Sequence, residues 1–401
     1  MKCGNSCRLF GAYQALSGIE DNIVLLHSVT GCHFGTMNFH VAGDMSDMRQ
    51  TSTIINDKDV IFNGENSLRK ALAYILELYN PGCITVITGC VSQMIGDDVE
   101  GVVSEFKHKV RCIHIQGAGF QSDFEEGYEE ALLTFAKVFC KRTKRADEPT
   151  INILGMLYDD YKKEADINAL KNLLKGKVRI NCATAGCRFQ DFEKLSGSQI
   201  NIVFGRGKKL ALYMEEKYGQ PFIEVDYPYG LEGIKRFLSV LGNFFNLSFH
   251  QEIKRMEGDT LKAVKKVYSY LQAFYGLPVC LCGSKGRREG MQSFLRDELG
   301  MEIVSTATAS ADLCMEDFIE SVLATDTALV FGSSFEADIS DRLNVPLIQY
   351  DYPVFHRVCI SDSPYIGAKG TIHLVEDILN AVMNGPKNKG ALYDEKDMYL
   401  R

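Results

Sequence analysis

The chain has 401 residues, of which 46% are hydrophobic and 24% are charged, and its net charge at pH 7 is −8. This length predicts two or three domains, each large enough to bury a core of its own. The acidic balance argues against a nucleic-acid-binding surface, and no apolar stretch approaches the ~20 residues that span a bilayer. Because no apolar signal segment follows Met1, we expect a cytoplasmic protein.

The pattern of predicted strands and helices begins with residues 1–147, which we interpret as a first α/β domain. Short apolar runs that end at glycine indicate buried parallel strands, and Leu68, Leu72 and Ile75 have the spacing of an amphipathic helix. The predicted elements are strand 22–27, helix 65–79, strand 84–87, a helix to about 107, strand 110–115 and helix 123–139.

The same alternation returns in residues 148–245 and again in residues 246–401, the second and third predicted domains. The second has strands at 151–154, 178–181, 200–204 and 222–225, with helices at 161–174 and from about 208 to 218. The third has strands at 279–282, 303–306, 328–331 and 346–349, with helices at 258–275, 316–325 and 370–383. We therefore predict an α/β fold of three Rossmann-like modules, each a parallel sheet flanked by helices, around a central cleft.

Thirteen cysteines is a high number for a chain without an export signal. In a reducing compartment they do not form a disulfide framework, so several should pack as small hydrophobic side chains. We expect this of the cysteines that lie beside apolar runs, namely Cys83, Cys112, Cys140, Cys280 and Cys314.

Three other cysteines are placed differently. Cys32 and Cys90 each follow Thr-Gly at the end of a predicted strand, and Cys7 lies just ahead of a predicted helix. A thiol at the end of a buried strand is either a small core residue or a ligand. Three thiols in three separate loops do not resemble the paired cysteines of a zinc site, but they suit an iron–sulfur cluster, which dispersed thiolates can hold.

Two segments carry a resemblance to a known family. They are Asp21 to Cys32, which ends in Thr-Gly-Cys, and Thr88 to Asp98, with the sequence Thr-Gly-Cys-Val-Ser-Gln-Met-Ile-Gly-Asp-Asp. The chain resembles the component 1 subunits of nitrogenase-like reductases, most closely the β-type. That family includes molybdenum-iron protein subunits, cofactor-assembly scaffolds and protochlorophyllide reductase-like subunits.

The resemblance implies that Cys7, Cys32 and Cys90 bind an iron–sulfur cluster at a subunit interface, either [4Fe–4S] or a P-cluster-like [8Fe–7S] centre. Cys3 is an alternative to Cys7. Gly31 and Gly89 would let the backbone approach the cluster. The implied partners are a homologous component 1 subunit, in a homodimer, heterodimer or heterotetramer, and an ATP-dependent iron protein. This chain has no GxxxxGK[ST] loop, so ATP hydrolysis is expected in that partner.

Some family positions differ here. Gly205 stands where the catalytic subunit of nitrogenase places its cofactor cysteine, and His356 lies in a segment that looks β-like. This argues against iron-molybdenum cofactor and leaves a second metallocluster or a tetrapyrrole as the candidate occupant of the cleft. Cys182 and Cys187 are either core thiols or ligands of such a cluster. Arg206, Lys208 and Lys209 form either a solvated turn or an anion site at a helix N-terminus.

The function predicted from these features is that of an iron–sulfur reductase subunit. It would accept low-potential electrons from the iron protein and pass them to a substrate or cofactor in the cleft. The alternatives are a non-catalytic scaffold for metallocluster assembly and a plain solute-binding protein. The last alternative requires no cluster at Cys7, Cys32 and Cys90.

Overall fold

Three parallel sheets of four strands each form the framework of the protein in the computed structural model. The structure describes residues 7–38, 51–308, 315–355 and 357–385. Within those residues every strand pairing is parallel, including the short pair of β1 (Ile19–Glu20) and β8 (Cys187–Arg188). Helices alternate with the strands along the chain, so the predicted fold class of parallel sheets flanked by helices is confirmed.

The described residues divide into two compact units. The N-terminal unit comprises the residues up to Asp159 together with Val178–Glu224, and it contains the first two sheets. The C-terminal unit comprises Asp160–Lys177 and the residues from Val225 onward, and it contains the third sheet. The division into three domains at 1–147, 148–245 and 246–401 stays a prediction.

The first sheet sets the position of the candidate thiols. Its strand order is β3 (Thr51–Ser52), β2 (Asn22–His27), β4 (Cys83–Thr88) and β5 (Arg111–Gln116). The pairing places the last residue of β2, His27, opposite Thr88, the last residue of β4, and Thr88 opposite Gln116, the last residue of β5. The segments that follow these three strands therefore leave from the same edge of the sheet, where ligands gather in α/β proteins.

The second sheet of the N-terminal unit has the order β10 (Phe222–Glu224), β9 (Ile200–Val203), β6 (Thr150–Leu154) and β7 (Arg179–Ala183). The helices of this unit are α1 (Arg8–Leu16), α2 (Thr30–Asn38), α3 (Asp57–Phe62), α4 (Glu65–Tyr79), α5 (Cys90–Ile95), α6 (Val99–Phe106), α7 (Phe124–Phe139), α9 (Phe189–Glu193) and α10 (Lys208–Tyr218), with a 3₁₀ turn at Leu195–Gly197.

The C-terminal unit is built on the third sheet, whose order is β12 (Glu302–Thr308), β11 (Pro278–Gly283), β13 (Leu329–Gly332) and β14 (Leu347–Gln349). Its helices are α8 (Lys163–Leu174), α11 (Gly230–Phe245), α12 (His250–Val264), α13 (Tyr268–Leu271), α14 (Lys285–Ser293), α15 (Met315–Leu323), α16 (Ala337–Leu343) and α17 (Gly367–Asn384). Short 3₁₀ turns at Lys265–Val267, Gln272–Phe274 and Ser334–Glu336 and a π-helical turn at Phe294–Glu298 complete it.

Two differences from the predicted elements have clear physical reasons. The helix predicted over 258–275 begins earlier and ends at Val264, because the turns that follow bury only Phe274 and little packing supports a continuous helix there. Helix α11 was not predicted, although Ile234, Leu238 and Leu241 form a buried stripe at helical spacing. No helix among the described residues is both long enough and apolar enough to cross a membrane.

The core of the first sheet yields a test of the packing. Leu72 of α4 is fully buried against strands β2 and β4, whereas Leu78 on the same helix is 70% exposed. We expect Leu72→Ala to lower the free energy of unfolding by about 2–5 kcal/mol, because it leaves a cavity. The matched variant Leu78→Ala should change it by less than about 0.5 kcal/mol, and chemical denaturation measures both. Equal effects of the two variants would contradict this packing.

Candidate metal centre

The three candidate thiols each lie at the N-terminal end of a helix rather than within a loop. Cys7 is the N-cap residue of α1, Cys32 is the third residue of α2, and Cys90 is the first residue of α5. All three are half-buried. The exposed peptide N–H groups in the first turn of a helix favour negative charge, so these positions suit thiols that ionise on binding a metal.

Gly119, in the segment after β5, lies between two of these thiols. Its backbone N–H donates a hydrogen bond to Cys90 Sγ at 3.2 Å. A Cβ atom at this position would lie 2.9 Å from Cys7 Sγ and 3.8 Å from Cys90 Sγ. The structure therefore brings together two sulfurs that are distant in sequence, and a Cβ atom at position 119 fits only if Cys7 Sγ moves.

Arg8, which follows Cys7 directly, fixes the first thiol to the Gly119 segment. Its Nε donates to the carbonyl of Gln116 and its Nη1 donates to Ser122 Oγ, both at 2.8 Å. The guanidinium also pairs with Glu130 of α7. Because Gln116 and Ser122 flank Gly119 in the chain, the bonds of Arg8 hold Cys7 against this segment. The sequence alone did not single out Arg8 and Gly119 as site residues, because neither belongs to the cysteine segments.

The electrostatics of the thiols support their proximity. Burial raises the pKa of the Cys7 thiol, the backbone N–H groups of Leu9 and Phe10 lower it, and negative charge on Cys32 and Cys90 raises it again. Among the residues that the structure describes, no three His, Cys, Asp or Glu side chains are spaced to hold a single metal ion. Half-buried thiols that repel one another when ionised are a donor set that a multi-iron cluster could take up, because different irons bind different thiolates.

The two predicted glycines have different surroundings. A Cβ atom on Gly31 would meet no atom within 4 Å, so the backbone next to Cys32 faces open space. A Cβ atom on Gly89 would collide with the hydroxyl of Ser28, in the segment that leads to Cys32. Gly89 thus allows the Cys90 and Cys32 segments to approach each other. Contact of either glycine with a cluster stays a prediction.

The remaining candidate cysteines are in the interior. Cys182 and Cys187 are 1% and 5% exposed, and they lie next to each other. Burial and then the hydrogen bond with Cys187 raise the pKa of Cys182 well above its ordinary value, which disfavours the thiolate that a metal needs. Cys3, Cys314 and His356 lie outside the described residues. The other thiols that were expected in the core are buried as predicted, and they are Cys83, Cys112, Cys140 and Cys280.

The basic turn before α10 does not present an open anion site. The carboxylate of Glu129 accepts the backbone N–H groups of Gly207, Lys208 and Lys209 at 2.6, 3.1 and 2.8 Å. Arg206 pairs with another carboxylate of α7, Glu125, at 2.8 Å. The anion at this helix N-terminus is thus part of the protein itself. Arg206 is buried, whereas the side chain of Lys208 is 54% exposed, so the turn is solvated in part and its N–H groups are not open to a ligand.

Comparison with known proteins places the chain in a family. The model of the nitrogenase component 1 type oxidoreductases matches residues 7–383, which include Cys7, Cys32 and Cys90. The chain belongs to this family. The resemblance inferred from the two cysteine segments is therefore confirmed.

Individual relatives share the family over most of their length. NifE of Clostridium pasteurianum, a nitrogenase iron-molybdenum cofactor biosynthesis protein, is 27% identical over 81% of this chain and 73% of NifE. The nitrogenase molybdenum-iron protein beta chain of Methanococcus maripaludis is 24% identical over 94% of this chain and 93% of the relative. A solved structure of nitrogenase Cp1 at pH 6.5 matches with a TM-score of 0.80 at 18% identity, over 96% of this chain and 93% of that chain. The shared fold thus extends over nearly the whole component 1 type chain.

The position of Gly119 yields a first test of the centre. We expect Gly119→Ala to weaken iron binding about tenfold, as loss of an outer-shell partner does in metal sites, because the new methyl group displaces Cys7 Sγ. Bound iron is measured by competition with a chelator after anaerobic reconstitution. The control is Gly186→Ala, where the added Cβ meets no atom within 4 Å. Iron affinity equal in the two variants would contradict the assignment.

Gly31 permits a second test, because folding and cluster binding should respond differently. In Gly31→Ala the added methyl group meets no protein atom within 4 Å. We expect the free energy of unfolding of the apoprotein to stay unchanged or to rise by up to about 1 kcal/mol, since Ala favours the helix. Iron incorporation should nevertheless fall if the backbone approaches the cluster here. Unchanged iron content would show that Gly31 does not face the cluster.

Proposed function

We propose that this chain is the iron–sulfur subunit of a nitrogenase-like reductase. It accepts low-potential electrons from an ATP-driven iron protein and passes them to a substrate or cofactor. The observation that carries the proposal is the set of three half-buried thiols at helix N-termini, of which Cys7 and Cys90 lie beside Gly119 and Cys32 acts electrostatically on Cys7. Membership of an oxidoreductase family supports the same class of activity.

The number of thiols supports a second subunit. A [4Fe–4S] cluster takes about four cysteine ligands, and one chain supplies three candidates, Cys7, Cys32 and Cys90. A homologous subunit that faces this one would supply the remainder and, with three more thiols, could complete an [8Fe–7S] centre. The partner is therefore either another copy of this chain or a related component 1 subunit.

The surface beside the thiols also supports an interface. Phe34 follows Cys32 by two positions, Met94 follows Cys90 by four, and Phe120 follows Gly119 directly. These three side chains are 63%, 76% and 61% exposed. Large apolar side chains that flank a half-open site are typical of a surface that another protein covers.

When bound, the cluster would supply one-electron transfer, and the residues of this chain would position and tune it. Cys7, Cys32 and Cys90 would hold iron as thiolates. The N–H of Gly119 would remain hydrogen-bonded to Cys90 Sγ, and such bonds to sulfur shift the potential of a cluster. Arg8 would keep Cys7 in place through its bonds to Gln116 and Ser122.

We propose further that the substrate site does not hold iron-molybdenum cofactor in the nitrogenase manner. Gly205 occupies the position where, by the family resemblance, the catalytic subunit of nitrogenase has its cofactor cysteine. Its φ is +74, and it begins the turn into α10. A glycine cannot supply a ligand. A different metallocluster or a tetrapyrrole therefore fits the proposal better.

A scaffold for metallocluster assembly is the second candidate, and the similarity to NifE favours it. The same thiols would serve, but the protein would release its cluster instead of turning over a substrate. The two functions are separated by mixing the reconstituted protein with an iron protein and ATP, and separately with an apoprotein acceptor. Sustained ATP-dependent oxidation of a reductant supports the reductase, and cluster transfer without turnover supports the scaffold.

The thiols themselves yield the main test. We expect the protein, purified without oxygen, to contain iron and acid-labile sulfide, and the triple variant Cys7→Ser, Cys32→Ser, Cys90→Ser to lose nearly all of both. The matched control is Cys359→Ser, because Cys359 is also half-buried but lies in the C-terminal unit. Iron and sulfide analysis with electron paramagnetic resonance measures the outcome. A triple variant with the iron content of the control would refute the proposal.

A further inference from the structure

A buried histidine and aspartate lie beneath the Cys90 helix in the N-terminal unit. His27 Nε2 and Asp97 Oδ2 are 3.0 Å apart, and both side chains are fully buried. The other ring nitrogen, Nδ1, lies 3.0 Å from Thr53 Oγ1. The second carboxylate oxygen of Asp97 accepts the backbone N–H of Gly64 at 2.7 Å. These polar atoms thus satisfy one another, as buried polar groups must.

His27 holds both ends of helix α5. At the N-terminal end, its backbone carbonyl accepts the N–H of Gly89 and the hydroxyl of Ser92, each at 3.0 Å. At the C-terminal end, its imidazole bonds Asp97, whose own N–H donates to the carbonyl of Ser92. Since α5 begins at Cys90, the residue that holds this helix also sets where the thiol lies.

His27 is also the last residue of β2, from which the chain continues to Cys32. The backbone of this segment is hydrogen-bonded. The carbonyl of Ser28 accepts the N–H of Ile55, which follows β3, at 2.9 Å, and the carbonyl of Val29 accepts the N–H of Cys32 at 3.1 Å. His27 therefore directly precedes the hydrogen-bonded segment to Cys32 and also contacts the helix of Cys90.

The space around the pair is closed. A Cβ atom on Gly64 would lie 2.8 Å from Asp97 Oδ2 and 3.0 Å from His27 Cε1. Burial lowers the pKa of His27, more strongly than its bond to Asp97 raises it, so the ring is neutral at pH 7. The hydrogen-bond network then assigns the proton to Nε2, which donates to the carboxylate, while Thr53 donates to Nδ1. A buried carboxylate that loses such a donor is strongly destabilised.

We propose that His27 and Asp97 are a positioning pair, which fixes Cys90 relative to Cys32 and so keeps the thiols in the geometry that a cluster needs. The proposal rests on the proposed function, because it assigns the pair a role toward the same cluster. The proposal goes beyond the proposed function because it says that two residues that are not ligands help to retain the cluster. A general contribution to folding is the competing interpretation, and it requires no local effect at α5.

The chain contains a matched control. His114 also lies between a hydroxyl and a carboxylate, with Nε2 3.0 Å from Thr88 Oγ1 and Nδ1 3.2 Å from Glu100 Oε1. Its ring contacts Thr88 of β4 and Glu100 of α6, and it reaches α5 only through Thr88, whose Oγ1 also accepts Gln93 Nε2 at 3.3 Å. Loss of this histidine should therefore disturb α5 less than loss of His27, which contacts Asp97 directly.

The test compares His27→Asn, His27→Gln and His114→Asn. Asparagine can reach only Thr53, whereas glutamine places an amide N–H near Nε2 and retains the bond to Asp97. In the apoprotein we expect amide exchange across Cys90–Ile95 to speed up about tenfold in His27→Asn only, as local opening becomes easier. In reconstituted protein the same variant should release iron to a chelator about tenfold faster, as metal sites do when an outer-shell partner is lost. It should also change the electron paramagnetic resonance spectrum of the reduced cluster. His27→Gln should restore both properties.

The outcomes separate the two proposals. If the wild-type protein binds no iron, the proposed function fails. Amide exchange in the apoprotein then still measures how strongly His27 stabilises α5. If His27→Asn folds and behaves as His114→Asn does in both measurements, the positioning pair is refuted. If His27→Asn does not fold, Asp97→Asn replaces it, since its remaining oxygen still accepts from Gly64. Wild-type exchange and iron release in Asp97→Asn would then refute the pair.

Discussion

The alignment of three parallel strands is the constraint on which the candidate site depends. Because His27, Thr88 and Gln116 are the last residues of β2, β4 and β5 and lie opposite one another, the chain leaves the sheet three times at one edge. Cys32, Cys90 and Gly119 each follow one of these exits within a few residues. A shift of one residue in either pairing would turn the side chains of that strand to the other face and separate the thiols. Arg8 then adds Cys7, which comes from a helix rather than a strand.

This arrangement has an electrostatic cost, and that cost is informative. Negative charge on Cys32 and Cys90 raises the pKa of Cys7, which burial raises already. Thiols also lie near one another in the core, as Cys280 Sγ and Cys282 Sγ do at 3.9 Å, and buried there they pack as small hydrophobic side chains. A bound group of positive irons would remove the repulsion. Cys7, Cys32 and Cys90 therefore differ from the cysteines of the core in being only half-buried, so that a group from outside the chain can reach them.

The N-terminal unit also shows why basic residues alone are weak indicators of a ligand site. Lys208 and Lys209 begin a helix as an anion-binding turn would, but Glu129 of α7 already occupies the N–H groups. This contact between a carboxylate of α7 and the N-terminal N–H groups of α10 stabilises the packing of the two helices. Whether reductase or scaffold, the protein is thus expected to bind its partners through the apolar surface beside the thiols rather than through this turn.

The sequence by itself determined the α/β alternation, most strands of the three sheets and the family, because these depend on local patterns such as β-branched runs that end in glycine and on the Thr-Gly-Cys segments. It also singled out Cys7, Cys32 and Cys90. It did not show that Cys32 lies in a helix, that Gly119 separates two sulfurs, or that His27 holds both ends of α5. The helix of Cys32 is a local feature that its weakly amphipathic sequence does not indicate. The contacts of Gly119 and His27 join residues far apart in the chain, and only the strand register of the folded sheet brings them within hydrogen-bonding distance.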